Sequence, residues 1–133
     1  MRVRGLKSLA VYSVNKDSEV FWLDLSLAGY RKVRSGERYA AFFDEVYRWL
    51  REYGIAPEEY AASNYVVHMQ PPGGSGRTST VLLVTLTKKG RVVYAALASF
   101  TPGVLLRMSS QLEKAGWKSK FFLDFSVRKE AVS

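Results

Sequence analysis

Apolar and polar positions alternate along several segments of the chain, which is the pattern of half-buried β-strands. The alternation at 8–14 (SLAVYSV) and 20–27 (VFWLDLSL) flanks the turn cluster NKDSE and predicts two strands, although a short helix also fits the first segment. Three more strands are predicted, the last two joined by the hairpin sequence KKG, at 65–70, 80–87 and 91–100. The segment KFFLDFSVRK predicts a final strand at 120–129.

A helical period replaces the alternation in two longer segments. Between Ser35 and Gly54 the apolar side chains recur at helical spacing, with Ser35 as the expected N-cap and Gly54 as the stop. The segment 101–116 (TPGVLLRMSSQLEKAG) predicts a second helix with Thr101 as its cap. A short helix is expected at 56–63 (APEEYAAS).

The order of these elements is β-β-α-α-β-β-β-α-β, with several hairpins. This order predicts an α+β fold in which an antiparallel or mixed sheet of about four to six strands packs on helices. A chain of 133 residues is long enough for one domain with a substantial core and too short for two comfortable ones. We therefore expect a single domain over residues 1–133.

Composition narrows the chemistry that the chain can perform. The chain contains no cysteine and a single histidine, His68, which excludes disulfides, thiolate chemistry and multi-histidine metal sites, and we expect no cofactor. Asparagine and glutamine are scarce, which indicates a heat-adapted source. No apolar run reaches membrane length and no signal-peptide cleavage site follows the first apolar stretch, so we expect a cytoplasmic protein with no membrane partner.

The chain is strongly basic, with 20 Lys and Arg residues against 12 Asp and Glu residues and a net charge of +8. Such a balance favours polyanionic partners, because each neutralised phosphate releases counterions, although self-repulsion also keeps a basic protein in solution. The cations expected to neutralise phosphates are Arg31, Arg34, Arg77, Lys88, Lys89, Arg91 and Lys120.

The glycine-rich loop at 68–80 (HMQPPGGSGRTST) contains the residue types of a phosphate cradle. A P-loop requires Gly-Lys, then Ser or Thr, then a helix, whereas here Arg77 follows Gly76 and a β-branched strand comes next. We therefore expect a long hairpin loop. It either folds over a bound strand through Arg77 or serves as a connection alone.

Two segments share one pattern of aromatic and polar residues, 21–27 (FWLDLSL) and 121–127 (FFLDFSV). As strands, they place Trp22 and Phe122 beside Asp and Ser on one face, opposite an all-apolar face that helices would cover. Exposed rings of this kind stack bases, whereas the alternative is that they pack in the core or at a dimer interface. Further candidates are Tyr65, His68 and Tyr94 for stacking, and Trp49 and Trp117 at a cleft wall.

Three stretches carry a resemblance to a known family: WLREYGIAPEEYAAS, YVVHMQPP and, after the glycine-rich gap, TVLLVTLTKKG. Across most of residues 36–127 the chain resembles the ThermoDBP-related single-stranded nucleic-acid-binding proteins of archaea. The resemblance implies a helix-backed antiparallel sheet with a cleft of aromatic and hydrophobic residues edged by basic ones. It also implies binding of single strands with little sequence preference. The coiled-coil extension of the fuller ThermoDBP proteins has no counterpart here.

We expect a non-catalytic, sequence-tolerant binder of single-stranded nucleic acid, DNA before RNA, that forms a homo-oligomer such as a dimer. Two alternatives stay open. A magnesium-dependent nuclease would use Asp24 and Asp124, which meet if their strands are neighbours. A protein-assembly subunit would instead use the exposed aromatic residues as its interface.

Overall fold

The computed structural model describes residues 5–25, 27–34, 36–70 and 78–125. In chain order the elements are β1 (Ser8–Asp17), α1 (Ser18–Leu23), β2 (Leu27–Lys32), α2 (Ala40–Glu52), a 3₁₀ turn (Pro57–Glu59), β3 (Ala61–Met69), β4 (Ser79–Lys88), β5 (Arg91–Ser99), α3 (Val104–Lys114) and β6 (Lys118–Asp124). Neighbouring strands are all antiparallel, in the order β2-β3-β4-β5-β1-β6. This architecture confirms the predicted α+β class.

Helices cover both faces of the sheet. On one face, which we call the α2 face, α2 buries Phe43 and Leu50 against the strands. On the other, which we call the α3 face, α1 and α3 bury Phe21, Leu105 and Leu112. The central strand β4 is consequently buried without interruption from 81 to 86, as expected for a strand that is covered on both sides. The expectation that helices cover one face and leave the other open is therefore wrong.

The predicted strand at 20–27 is also wrong, because Ser18–Leu23 forms α1. Phe21 and Leu25 are both buried, and their spacing of four residues fits one side of a helix as well as a strand of period two. Leu23 separates the two interpretations, because its side chain is 83% exposed whereas a strand would bury it beside its neighbours.

Three boundaries near the beginning of the chain differ from the prediction. The expected turn NKDSE does not follow β1, because β1 continues to Asp17, and β2 forms where the pattern predicts no separate strand. The helix predicted between Ser35 and Gly54 is α2, and it begins only at Ala40. Turns occupy residues 36–39, where Gly36 has a φ of +90°. The expected cap Ser35 lies outside the described residues.

The rest of the chain follows the prediction more closely. The strands expected at 65–70, 80–87 and 91–100 are confirmed as β3, β4 and β5, and the helix expected at 101–116 is confirmed as α3. The N-cap of α3 is Gly103, with a φ of +83°, rather than Thr101. The short helix expected at 56–63 is a 3₁₀ turn followed directly by β3.

Candidate nucleic-acid interface

Three aromatic pairs follow one another along α2 and past its C-terminal end, on the α2 face. The pairs are Trp49–Phe125, Tyr53–Phe121 and Tyr60–Tyr94, with ring centroids 5.5, 4.0 and 5.8 Å apart. The middle pair is stacked at 14°, whereas the other two are tilted or edge to face. We call these six residues, together with Arg48, Lys88 and Lys120, the aromatic track.

Cations lie over the rings of the track. The distances to the ring centroids are 4.9 Å for Arg48 over Trp49, 5.7 Å for Lys88 over Tyr60 and 5.9 Å for Lys120 over Tyr94. Within the described ranges, no carboxylate forms an ion pair with either lysine, whereas Arg48 is 4.0 Å from Glu45. The two ammonium groups are therefore held by aromatic faces, an attraction of about 0.5–1 kcal/mol at exposed sites.

An irregularity in β6 places Lys120 on this face. In the pairing of β1 with β6, Val11 is opposite Phe121 and Tyr12 is opposite Ser119, so Lys120 has no partner of its own. An extra residue of this kind forms a β-bulge, which re-aims a side chain. The bulge thus allows Lys120 and Phe121 to serve the same face of the sheet.

The track is accessible to solvent at its centre, where the side chain of Tyr53 is 47% exposed. Tyr60 is half-buried, and this burial raises the pKa of its phenol, with further increases from Tyr94 and Glu59. The phenol is therefore neutral at physiological pH and keeps its proton for hydrogen bonding. The track presents neutral aromatic surface and positive charge side by side.

Four of the predicted site residues lie on the track: Trp49, Tyr94, Lys88 and Lys120. Two more adjoin it in the hairpin between β4 and β5. Lys89 occupies the turn with a φ of +53°. Arg91 pairs with Lys88 in the register and forms an exposed ion pair with Asp17 at 3.2 Å.

The two leading stacking candidates, Trp22 and Phe122, lie near opposite edges of the sheet. Trp22 stacks on Tyr30 of β2 at 4.3 Å and meets Tyr65 of β3 edge to face at 5.0 Å. Phe122 lies in the edge strand β6. It is opposite Ala10, whose side chain is buried on the α3 face. Five strand spacings separate β2 from β6, roughly 24 Å. The predicted common platform is therefore wrong.

Trp117 belongs to the core and not to a cleft wall. Its side chain is 2% exposed, and its ring lies 5.1 Å from Phe21 and 5.6 Å from Tyr12. The indole Nε1 donates a hydrogen bond to Asp24 Oδ2 at 2.8 Å. These contacts remove Trp117 from the set of residues that can stack a base without unfolding.

Asp24 and Asp124 do not form a pair. The Asp24 carboxylate lies 2.7 Å from the Lys16 ammonium near the end of β1, whereas Asp124 is opposite Ser8 at its start. Those two positions in β1 are roughly 26 Å apart. The two-carboxylate magnesium site is therefore wrong. Among the described residues, no group of three or more His, Cys, Asp or Glu side chains is placed to hold a metal ion.

The remaining candidates lie away from the track. Arg31 Nη1 donates to Glu37 Oε1 at 2.7 Å, and the backbone N–H of Arg34 donates to Glu37 Oε2 at 2.8 Å. The hydrogen bond from the Arg34 backbone has the larger effect on the Glu37 carboxyl, and the bond from Arg31 the next largest. Both hold the pKa of Glu37 below its ordinary value.

Two further candidates are also outside the track. His68 Nδ1 is 3.2 Å from Thr80 Oγ1 on the α2 face, and Arg77 lies outside the described residues.

Most of the track is absent from the predicted site. The residues missed are Arg48, Tyr53, Tyr60, Phe121 and Phe125. The spacing of Trp49 and Tyr53 on α2 was one available signal, because side chains four residues apart share a helix face. The alternation in 121–127 predicts that Phe121 and Phe125 lie on the all-apolar face of a strand, and this pattern alone does not reveal their aromatic partners.

No helix in the described ranges is long and apolar enough to cross a membrane. The chain matches no family model, no curated protein and no solved structure. The resemblance to the ThermoDBP-related proteins therefore stays a prediction.

Proposed function

We propose that this protein binds single-stranded nucleic acid along the aromatic track, with little sequence preference and without cutting it. The observation that carries the proposal is the alternation of aromatic pairs and overlying cations. Aromatic rings accept any base through their π faces, and neighbouring cations neutralise the phosphates. The net charge of +8 adds long-range attraction for a polyanion.

Binding would require the two lysines to exchange partners. The ammonium groups of Lys88 and Lys120 leave the rings of Tyr60 and Tyr94 and move to phosphate oxygens of the strand. Their flexible stems permit this movement, and the vacated ring faces become stacking surfaces. Each stacked base contributes about 1–3 kcal/mol, as judged by alanine substitution.

The same mechanism favours single strands over duplexes. A ring can stack on a base only after that base has been separated from its neighbour in the helix, and a duplex resists this separation. Single-stranded DNA and RNA both satisfy the requirement, because the contacts involve base faces and phosphates.

The salt dependence of binding tests the proposed role of the lysines. The double variant Lys88→Gln/Lys120→Gln should reduce the slope of log K against log salt by about 1.4, because each neutralised phosphate of a single strand accounts for about 0.7 of that slope. The matched control is Arg107→Gln/Lys114→Gln on α3, which removes the same charge from the opposite face. Anisotropy of fluorescein-labelled single-stranded DNA, single-stranded RNA and duplex DNA measures each affinity.

The proposal predicts a reduced slope in the track variant and an unaltered slope in the control. If the protein binds neither single-stranded DNA nor single-stranded RNA, the proposed function is wrong. Equal changes in both double variants would show that net charge, not the track, attracts the strand. Cutting of the oligonucleotide in the presence of magnesium would favour a nuclease instead.

A further inference from the structure

A cleft of about 650 Å³ lies on the α2 face beside the beginning of α2. One wall is aromatic, with Phe42 and Phe100 edge to face at 4.8 Å and Tyr39 6.3 Å from Phe100. Arg38 also lines the cleft, and its guanidinium lies 5.2 Å from the ring centroid of Tyr39. In the described part of the chain, Arg38 forms no ion pair with a carboxylate.

The rest of the lining is rich in hydroxyl groups. Three threonines border the cleft: Thr78 just before β4, Thr80 near the start of β4 and Thr101 just after β5. The Thr80 hydroxyl is 3.2 Å from His68 Nδ1, a contact that orients it. Among the described residues, the cleft therefore combines an aromatic wall, several neutral hydrogen-bonding groups and the positive charge of Arg38.

The cleft is distinct from the aromatic track. It adjoins Tyr39 before the first turn of α2, whereas the track begins with Arg48 and Trp49 and reaches Tyr53 at the helix end. On α2 the nearest members of the two sites are Phe42 and Arg48, six positions apart, which is about 9 Å along a helix. One site can therefore be altered without changing the other.

We propose that this cleft binds one nucleoside monophosphate unit. The base lies against the aromatic wall of Phe42 and Phe100, the sugar and the base edge meet the threonine hydroxyls, and the phosphate lies at Arg38. Guanidinium is suited to phosphate because its planar N–H donors match two phosphate oxygens. The volume falls within the range of about 300–1,000 Å³ that is usual for small-molecule sites. Nucleotide binding here does not require strand binding at the track.

Calorimetric titration of the full chain with AMP, adenosine and inorganic phosphate tests the assignment. Arg38→Gln should lower the affinity for AMP about tenfold or more and leave the affinity for adenosine unchanged, because glutamine cannot form a charge-assisted hydrogen bond with phosphate. Phe100→Leu should lower the affinities for AMP and for adenosine, because both molecules present a base to the aromatic wall. The matched control, Arg107→Gln on the opposite face, should leave every affinity unaltered. Thermal melting of each variant verifies that it is folded.

The nucleotide can reach the cleft as a free molecule or as the end of a strand, and competition distinguishes the two sources. Oligonucleotides with a 5′-phosphate, a 3′-phosphate or no terminal phosphate are added to the AMP complex. Displacement that requires a terminal phosphate identifies a strand end, whereas no displacement by any of them identifies a free nucleotide.

Two results overturn the assignment. One is the absence of AMP binding at millimolar concentration, and the other is an equal response of AMP affinity to Arg38→Gln and Arg107→Gln. Neither result bears on the track, whose own test uses Lys88, Lys120 and a labelled strand. A failure of one proposal is thus distinguishable from a failure of the other.

Discussion

At the scale of single residues, Asp24 connects β1, α1 and α3. Its Oδ2 accepts hydrogen bonds from Lys16 Nζ at 2.7 Å and from Trp117 Nε1 at 2.8 Å, and its backbone oxygen accepts one from Gln111 at 3.3 Å. The side chains of Lys16 and Asp24 are 23% and 15% exposed. Water therefore competes weakly for these bonds. Removing the carboxylate leaves Trp117 Nε1 without its acceptor and deprives Lys16 Nζ of its charged acceptor, whereas the hydrogen bond from Lys16 to the backbone oxygen of Ala115 remains.

Replacing Asp24 by alanine should lower the free energy of unfolding by about 2 kcal/mol, because Lys16 and Trp117 are deprived of a charged acceptor. The matched control is Asp17→Ala, which removes an exposed ion pair with Arg91 and should cost about 0.5 kcal/mol or less. Urea denaturation followed by tryptophan fluorescence measures both values. Similar losses of stability in the two variants would show that the connection made by Asp24 contributes little.

At the scale of elements, long periodic segments were predictable and short ones were not. The strands β3, β4 and β5 and the helices α2 and α3 each contain enough residues for one period to dominate. The six residues of α1 do not, because burial of Phe21 and Leu25 satisfies both periods. Most residues of β2 are exposed, so no buried alternation marks it as a separate strand.

The burial of Trp117 had a local signal that the cleft interpretation overlooked. After α3, Gly116 N–H donates to Glu113 O at 3.0 Å and Trp117 N–H donates to Leu112 O at 3.0 Å. This is the Schellman motif, in which the residue after the glycine packs back on the last turn of the helix. Apart from the spacing of Trp49 and Tyr53 on α2, the aromatic track has no comparable local signal, because it depends on the pairing of β1 with β6 and on the bulge at Lys120.

The stop of α2 at Gly54 gives a prediction about this element. Gly54 has a φ of +88°, and the Schellman bonds Gly54–Arg51 and Ile55–Leu50 are 3.1 and 2.9 Å long. Gly54→Ala should lower the free energy of unfolding by about 1–2 kcal/mol, because a Cβ is strained in the left-handed region. Gly29→Ala is the control, because an added Cβ meets nothing within 4 Å there and its φ is not positive. Equal thermal melting temperatures for both variants would contradict the prediction.

At the scale of the whole molecule, the sheet separates two aromatic surfaces. The aromatic track lies on the α2 face, whereas Trp22, Tyr30 and Tyr65 form a cluster on the α3 face. A strand bound to one surface has no direct access to the other. Adjacent residues of β6 divide in the same way, since Phe121 packs on the α2 side and Phe122 is opposite Ala10 on the α3 side.

This division predicts opposite outcomes for neighbouring substitutions. Phe121→Leu should weaken binding of single-stranded DNA by about 1 kcal/mol or more, because it removes a ring of the track. Phe122→Leu makes the same chemical change on the other face and should leave the affinity unchanged. Anisotropy titrations at one salt concentration compare the two. A larger effect from Phe122→Leu would transfer the binding surface to the α3 face.

The two edge strands, β2 and β6, also decide how the sheet meets other sheets. With six and seven residues, they are shorter than the other four strands of the described sheet. Each is paired with its neighbour through an irregular register, between Leu27 and Gly29 in β2 and beside Lys120 in β6. Lysines at 118 and 120 add charge along the second edge. Short, irregular and charged edges discourage the addition of a foreign strand. The bulge that brings Lys120 to the aromatic track thus also protects the protein against aggregation through its own hydrogen-bonding edge.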